Sequence, residues 1–163
     1  IRQAVAMLNT ASETVEALRI KMNQAASQLP EYPVVMEMNG VGPTLGPQLI
    51  AEIGDVTRFE HRGSLTAYAG VDPRPNESGV YKRQSNPTTK KGSPYLRKTL
   101  FQIMDGLIKR SPVDDPVYAF MDKKRAEGKP YHVYMTAGAN KFLRIYYGRV
   151  NAFLAPAKAT EEP

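Results

Sequence analysis

The chain has 163 residues, 42% of them hydrophobic, and its 22 Lys and Arg outnumber 16 Asp and Glu to give a net charge of +6. It has no cysteine and only two histidines, far apart in sequence, which excludes disulfides and Cys-based zinc sites and disfavours a His-rich metal site. No apolar run reaches the roughly 18 residues of a membrane span, and the basic balance favours a polyanionic partner, most often nucleic acid.

The first 29 residues carry a heptad repeat. Its a-type positions are Ile1, Leu8, Val15, Met22 and Leu29, and its d-type positions are Ala4, Ala11, Leu18 and Ala25. This pattern is typical of a coiled coil or a long packed helix, and the many alanines at d make a thin seam. We predict a coiled-coil arm over residues 1–30, either as one helix of an antiparallel hairpin or as a dimer arm that joins two copies of the chain. The alternative is a helix that lies on its own domain.

Residues 34–54 contain a Gly-Val-Gly turn between two apolar segments. Gly40, Val41 and Gly42 form the turn, and Thr44 is predicted to cap the helix that follows. The glycines allow a tight bend and would bring backbone N–H groups up to a phosphate, beside the positive end of the second helix. We therefore predict a helix-hairpin-helix that grips phosphate through these four residues. The alternative is a corner that only packs.

The stretch "NESGVYKRQSNPTTKKGSPYLRK", from Asn76 to Lys98, is unusually basic. After Glu77 it contains no acidic residue, and its cations are Lys82, Arg83, Lys90, Lys91, Arg97 and Lys98. Its turn residues predict a loose β-hairpin or open loop. We expect these cations to contact phosphates, which confers affinity and salt dependence but no sequence choice. The alternative is a solvated charged surface.

Cap residues predict four further helices. The first covers 64–69 and is closed by Gly70, the second runs from Ser93 and Pro94 to about Arg110, the third from Asp115 and Pro116 to Gly128, and the fourth covers 131–154. We therefore predict a mainly α fold. A long coiled-coil helix precedes a helical domain over residues 31–155, which contains the helix-hairpin-helix and one small β-like basic loop. A polar tail over 156–163 is predicted to be disordered.

The last predicted helix has one apolar face. It is formed by Met135, Ala139, Phe142, Tyr146, Val150 and Phe153. Gly138 and Gly148 each weaken a helix by up to about 1 kcal/mol relative to Ala, so we expect both to permit close packing.

Four short motifs occur in a distinctive order. "NGVGPTLGPQLIAEIGDVTRF", "LTAYAGVDP", "ESG" and "KKGSPYLRKTLFQ" resemble the C-terminal transposase domain of the insertion-sequence-110 family, bacterial mobile-element enzymes described as bridge-RNA-guided recombinases. The resemblance covers residues 35–154. It implies that Ser78, which precedes Gly79, is a nucleophile that attacks a DNA phosphodiester. The products would be a phosphoserine link and a free 3′-hydroxyl.

The resemblance also implies what lies outside this sequence. In that family a coiled-coil segment precedes the domain, and a RuvC-like domain with four acidic residues, which bring Mg²⁺, lies further N-terminal. Nothing here matches the RuvC-like domain, and the first residue is Ile1 rather than Met. We therefore expect a C-terminal piece of a longer protein, with no cofactor of its own and inactive alone.

The function predicted on this basis is DNA transposition or site-specific recombination. Expected partners are DNA, a guide RNA and a second copy of the chain, in the bacterial cytoplasm near the nucleoid. From the residues alone, Ser-Gly is also a common turn pair, and Ser85 and Ser93 lie nearby. Two alternatives therefore stay open: a non-catalytic helix-hairpin-helix module that only binds nucleic acid, and an interaction protein built around the coiled-coil arm.

Overall fold

A computed structural model describes residues 1–73 and 88–159, and these residues form a mainly helical protein, as predicted. Its helices are α1 (Arg2–Ala26), α2 (Tyr32–Met36), α3 (Leu45–Ile53), α4 (Arg62–Ala69), α5 (Pro94–Arg110), α6 (Pro116–Ala126) and α7 (Tyr131–Ala159), with a 3-10 helix at Val56–Arg58. The described ranges contain no strand, only an antiparallel bridge between Pro73 and Thr88. Among the described helices, none has the length and apolarity needed to cross a membrane.

Side-chain caps set the starts of α5 and α6. Ser93 Oγ accepts a hydrogen bond from the Leu96 amide at 3.1 Å, as predicted for the start of α5. Asp115 Oδ1 accepts from the amides of Val117 and Tyr118 at 2.8 and 2.7 Å, as predicted for α6. These bonds satisfy amides that a helix leaves without partners in its first turn.

Two helix starts differ from the sequence prediction. Helix α4 begins at Arg62 rather than Ser64, because His61 Nδ1 accepts a hydrogen bond from the Ser64 amide at 3.1 Å and caps the helix. Thr44 occupies the N-cap position of α3, but its side chain makes no cap hydrogen bond, so the predicted cap is wrong. Its backbone already has helical dihedral angles (φ −96°, ψ −47°), whereas a capping residue usually adopts extended ones.

The core forms around α5 and α7, which pack against each other while α7 also contacts α4 and α6. Their buried hydrophobic side chains are Leu96, Leu100, Ile103, Met104, Leu107, Tyr134, Met135, Ala139, Phe142, Leu143, Tyr146 and Val150. Phe153 was predicted for the same face of α7, but it is 47% exposed. Leu154, four residues after Val150, packs against the core instead.

The glycines and the end of α7 show further differences. A Cβ on Gly138 would collide with the sulfur of Met121, so Gly138 permits close packing as predicted. A Cβ on Gly148 would meet nothing within 4 Å, so that prediction is wrong.

Helix α7 continues through Pro156 to Ala159, so the predicted tail begins inside this helix. Residues 160–163 lie outside the described ranges.

Helix α1 joins the domain only at its C-terminal end. Ala26 is its one buried residue, and Tyr32 donates a hydrogen bond to Asn23 Oδ1 at 2.8 Å. The heptad side chains nearer the N-terminus are exposed, including Leu8 at 67% and Leu18 at 60%. The alternative in which this helix lies on its own domain is therefore wrong for the described residues. Pairing with a second copy stays a prediction.

Candidate nucleic-acid interface

A groove of about 1240 Å³ opens between α4, α6, α7 and the two chain segments 71–73 and 88–90. Of the residues that the structure describes, four cationic ones line it, Arg62, Lys90, Lys141 and Arg144, and we call it the cationic groove. The side chains come from three separate regions of the sequence. The packing of α4 on α7 brings Arg62 to the same surface as Lys141 and Arg144. Lys90 is held next to the end of α4, because its amide donates a hydrogen bond to the Gly70 carbonyl.

The described side chains that line the cationic groove carry mostly positive charge. Of the described residues that line it, Asp72 is the one carboxylate, and its Oδ1 accepts a hydrogen bond from Thr89 Oγ1 at 2.6 Å. None of the four cations forms an ion pair with another described residue. Four described cations and one described carboxylate line the groove, so its described lining is net positive, as an anion-binding surface requires.

Phe120 helps to fix the position of one groove cation. Its half-buried ring lies on the α6 wall, and the Lys141 Nζ lies 4.7 Å from the ring centroid. Lys124 Nζ approaches the same ring at 5.0 Å. Such cation–π contacts contribute about 0.5–1 kcal/mol at exposed sites. They hold the Lys141 ammonium at the wall of the groove.

Of the predicted phosphate contacts in the described ranges, Lys90 is the one that lines the cationic groove. Its backbone has φ 54° and its amide donates to the Gly70 carbonyl at 3.2 Å. Lys91 and Lys98 are exposed but do not line the groove. Arg97 is half-buried, and its Nη1 donates to the Ala69 carbonyl at 3.1 Å. This guanidinium hydrogen bond therefore stabilises the end of α4.

Ser78, Lys82 and Arg83 lie outside the described residues. The predicted β-like loop falls largely there too. The described residues on either side, Pro73 and Thr88, both line the cationic groove and form the antiparallel bridge.

The Gly-Val-Gly turn makes a separate surface, because none of its residues lines the cationic groove. Gly40 has φ 81°, and a Cβ there would lie 3.0 Å from Ile103 Cγ2 and 3.0 Å from Leu107 Cγ. Val41 is buried. This half of the turn therefore packs on α5. Gly42 is different, since a Cβ there would meet nothing within 4 Å. Helices flank the turn as predicted, while a helix-hairpin-helix that grips phosphate stays an interpretation.

Sequence reasoning missed Arg62, Lys141 and Arg144. On α7 the signal was available, because residues 133, 137, 141 and 144 recur at helical spacing on a different face from the apolar stripe. Arg62 gave no comparable signal, because its place beside α7 depends on tertiary packing.

Comparisons with known proteins identify the family. The model of the "Transposase IS116/IS110/IS902 family" matches residues 32–119, more than half of the chain. The chain belongs to this family. The matched range begins at α2 and ends within α6, so the family match covers the Gly-Val-Gly turn, Ser78 and the whole basic stretch. The family predicted from the four motifs is confirmed.

Two relatives of the chain are much longer than the region that it matches. The pilin gene-inverting protein of Moraxella bovis is 28% identical over 127 residues, which cover 78% of this chain and 37% of that protein. An uncharacterized protein of insertion element IS900 from Mycobacterium paratuberculosis is 27% identical over 130 residues, which cover 78% of this chain and 32% of that protein. The chain thus spans about a third of the length of these relatives.

Proposed function

We propose that this chain acts in DNA transposition or site-specific recombination, as the part of a transposase that supplies Ser78 and nucleic-acid contacts to a composite active site. The observation that carries the proposal is the family match over residues 32–119, which includes Ser78. The relative in Moraxella bovis is named for inverting a gene, and DNA inversion is a recombination reaction. Such a protein would work on DNA in the bacterial cytoplasm, and a guide RNA is a further proposed partner.

The proposed reaction transfers a DNA strand to the serine. The Ser78 hydroxyl loses its proton to a base and its oxygen forms a bond to phosphorus. The bond between phosphorus and the 3′-oxygen breaks, and that oxygen takes up a proton to become a free 3′-hydroxyl. The phosphoserine bond preserves the energy needed to rejoin strands, because a new 3′-hydroxyl can displace the serine.

The cations near this segment support the proposal. A phosphoryl transition state gathers negative charge on its oxygens, and positive side chains stabilise that charge. Lys90 lines the cationic groove close in sequence to the segment that contains Ser78, and the groove cations are free of described ion pairs. Lys82, Arg83 and Lys91 would add positive charge around the same segment.

Mg²⁺ would lower the barrier further by stabilising the same oxygens. Within the described ranges, no group of three or more His, Asp or Glu side chains could hold a metal ion. The described residues therefore do not fit a Mg²⁺ site. We propose that acidic residues of a RuvC-like domain would supply it.

The test is Ser78→Ala in the full-length transposase, with Ser85→Ala as the matched control in the same basic stretch. We expect S78A to abolish strand exchange and to abolish the protein–DNA adduct that survives denaturation, while DNA affinity is retained. S85A should keep both activities. Strand exchange at the normal rate by S78A would exclude Ser78 as the nucleophile.

The second candidate function is a module that binds nucleic acid without chemistry, and the unpaired charge of the cationic groove favours it. Under this alternative, S78A leaves recombination unchanged and the chain still binds nucleic acid with steep salt dependence. An absence of salt-dependent binding would exclude both functions and favour a protein whose role is interaction through α1.

A further inference from the structure

We propose that the cationic groove binds an unpaired strand of nucleic acid in preference to a duplex. This inference deepens the proposed function and rests on it, because it assigns one described surface to one class of nucleic acid. It concerns the residues of α4, α6 and α7 and requires nothing of Ser78.

The shape of the groove favours a single strand. Proteins read a duplex by inserting a convex element, such as a helix, into a DNA groove about 12 Å wide. Here the protein surface is concave, so the nucleic acid must enter the protein. Pockets for drug-sized molecules occupy about 300–1,000 Å³. A volume of about 1240 Å³ is larger than most of these, and it suits a strand of a few nucleotides better than one small molecule.

The walls combine the two chemistries that an unpaired strand presents. Val71 is buried at one wall, and Ala137 and Ile145 are half-buried on α7. These apolar surfaces suit bases, which are exposed only when a strand is unpaired. Arg62 and Arg144 are exposed and line the same groove, so their guanidinium groups can reach phosphates. Proteins that bind single strands combine surfaces for bases with positive charge for the backbone in this way.

Two polar side chains on α7 supply hydrogen-bonding groups within the groove. Thr136 and Asn140 are half-buried and line it, and neither side chain makes a hydrogen bond with another described residue. An asparagine amide both donates and accepts, so it can pair with the edge of any base. In a duplex the Watson–Crick edges of the bases are paired with the opposite strand, whereas an unpaired strand leaves these edges available.

The first test removes charge from the groove. We would measure the fluorescence anisotropy of a labelled 12-nucleotide thymidine strand, a 12-nucleotide uridine strand and a 20-base-pair duplex with the chain. Lys141→Ala with Arg144→Ala is compared with Lys123→Ala with Lys129→Ala, which removes equal charge from exposed positions outside the groove. The slope of the logarithm of affinity against the logarithm of salt concentration reports the number of phosphate contacts. Loss of two contacts should make this slope less negative by about 1.4 for a single strand. Between about 1 M and 0.1 M salt, one unit of log concentration, this slope change corresponds to a roughly 25-fold weaker affinity for the strand.

The second test fills the groove without changing charge. Ala137→Trp places a large side chain on the α7 wall, and Ala152→Trp places one on an exposed position of the same helix outside the groove. We expect A137W to weaken strand binding about tenfold more than it weakens duplex binding, and A152W to have the same small effect on both. Circular dichroism would establish that each variant keeps its helices.

The outcomes separate this inference from the proposed function. If the groove variants lose affinity for the thymidine or the uridine strand but keep their affinity for the duplex, the inference is supported. The strand whose affinity falls then tells whether DNA or RNA occupies the groove. Equal loss of strand and duplex in the groove variants overturns it, as does no loss of strand binding. The proposed function fails differently, through unchanged recombination by S78A in the full-length protein.

Discussion

At the scale of single residues, Tyr146 stands out as a polar group without a described partner. Its side chain is fully buried in the core, and within the described ranges its hydroxyl makes no hydrogen bond. Burial raises the pKa of Tyr146 well above its usual range, with a smaller contribution from the charge of Glu31. A buried hydroxyl that has lost its water without gaining a partner costs about 1–3 kcal/mol. The hydroxyl of Tyr146 therefore reduces the stability of the fold, while its buried ring contributes to the core.

We predict that Tyr146→Phe stabilises the protein by about 1 kcal/mol, because it removes the buried hydroxyl and keeps the ring. The matched control is Tyr147→Phe, since Tyr147 donates a hydrogen bond to the Phe59 carbonyl at 3.0 Å. That variant should lose about 1 kcal/mol. Urea unfolding followed by circular dichroism measures both. A clear loss of stability in Y146F would contradict the prediction.

The same tyrosine predicts how stability depends on pH. In the unfolded chain Tyr146 ionises near its ordinary pKa of about 10, whereas in the folded protein it stays protonated to higher pH. The unfolded state therefore binds fewer protons above about pH 10, and the free energy of unfolding falls as pH rises. We expect the stabilising effect of Y146F to be larger at about pH 10.5 than at about pH 8. An effect equal at the two pH values would contradict the raised pKa.

At the scale of elements, the two glycines of the Gly-Val-Gly turn have different surroundings. Gly40 needs a positive φ and lies against α5, while a side chain on Gly42 would point into open space. The packing alternative is thus supported at Gly40. The phosphate interpretation now depends on the turn from Gly42 to the start of α3.

We predict that Gly40→Ala lowers the free energy of unfolding by about 1–3 kcal/mol, because alanine is strained at positive φ and its Cβ would crowd Ile103 and Leu107. Gly42→Ala should leave stability within about 0.5 kcal/mol, as expected of a substitution that touches nothing.

If the turn grips phosphate, the added methyl of G42A would hinder the close approach and weaken duplex affinity several-fold. Anisotropy with a labelled duplex checks this, and unchanged affinity for G42A would contradict the phosphate interpretation.

Element starts were predictable where a local hydrogen bond sets them. Ser93 and Asp115 cap α5 and α6 through amides two or three residues away, so a few letters of sequence carry the information. His61 was missed because an imidazole rarely serves as a cap. The cationic groove was missed for another reason. Arg62 and Arg144 are separated by most of the domain in sequence, and only the packing of α4 on α7 brings them together.

At the scale of the whole molecule, the described residues present two surfaces with different chemistry. The cationic groove carries charge without described ion pairs, while α1 extends from the domain with apolar side chains exposed along its heptad positions. Exposed apolar stripes of this kind are stable when a second helix covers them. Two copies of the chain joined through α1 would bring two cationic grooves into one assembly, which suits a reaction that must hold two DNA segments.

We predict that the chain self-associates through α1 and that Leu8→Glu with Val15→Glu makes it monomeric, because charges at two a-type positions would face each other in the seam. Asn9→Glu with Ala17→Glu is the matched control, since it adds equal charge at exposed positions outside the heptad seam. Light scattering after size-exclusion chromatography measures the mass of each form at several concentrations. Because three of the four d-type residues are alanine, the association should be weak and concentration-dependent. A monomeric parent chain at every concentration, or an L8E/V15E form that stays associated, would show that α1 is not the self-association surface.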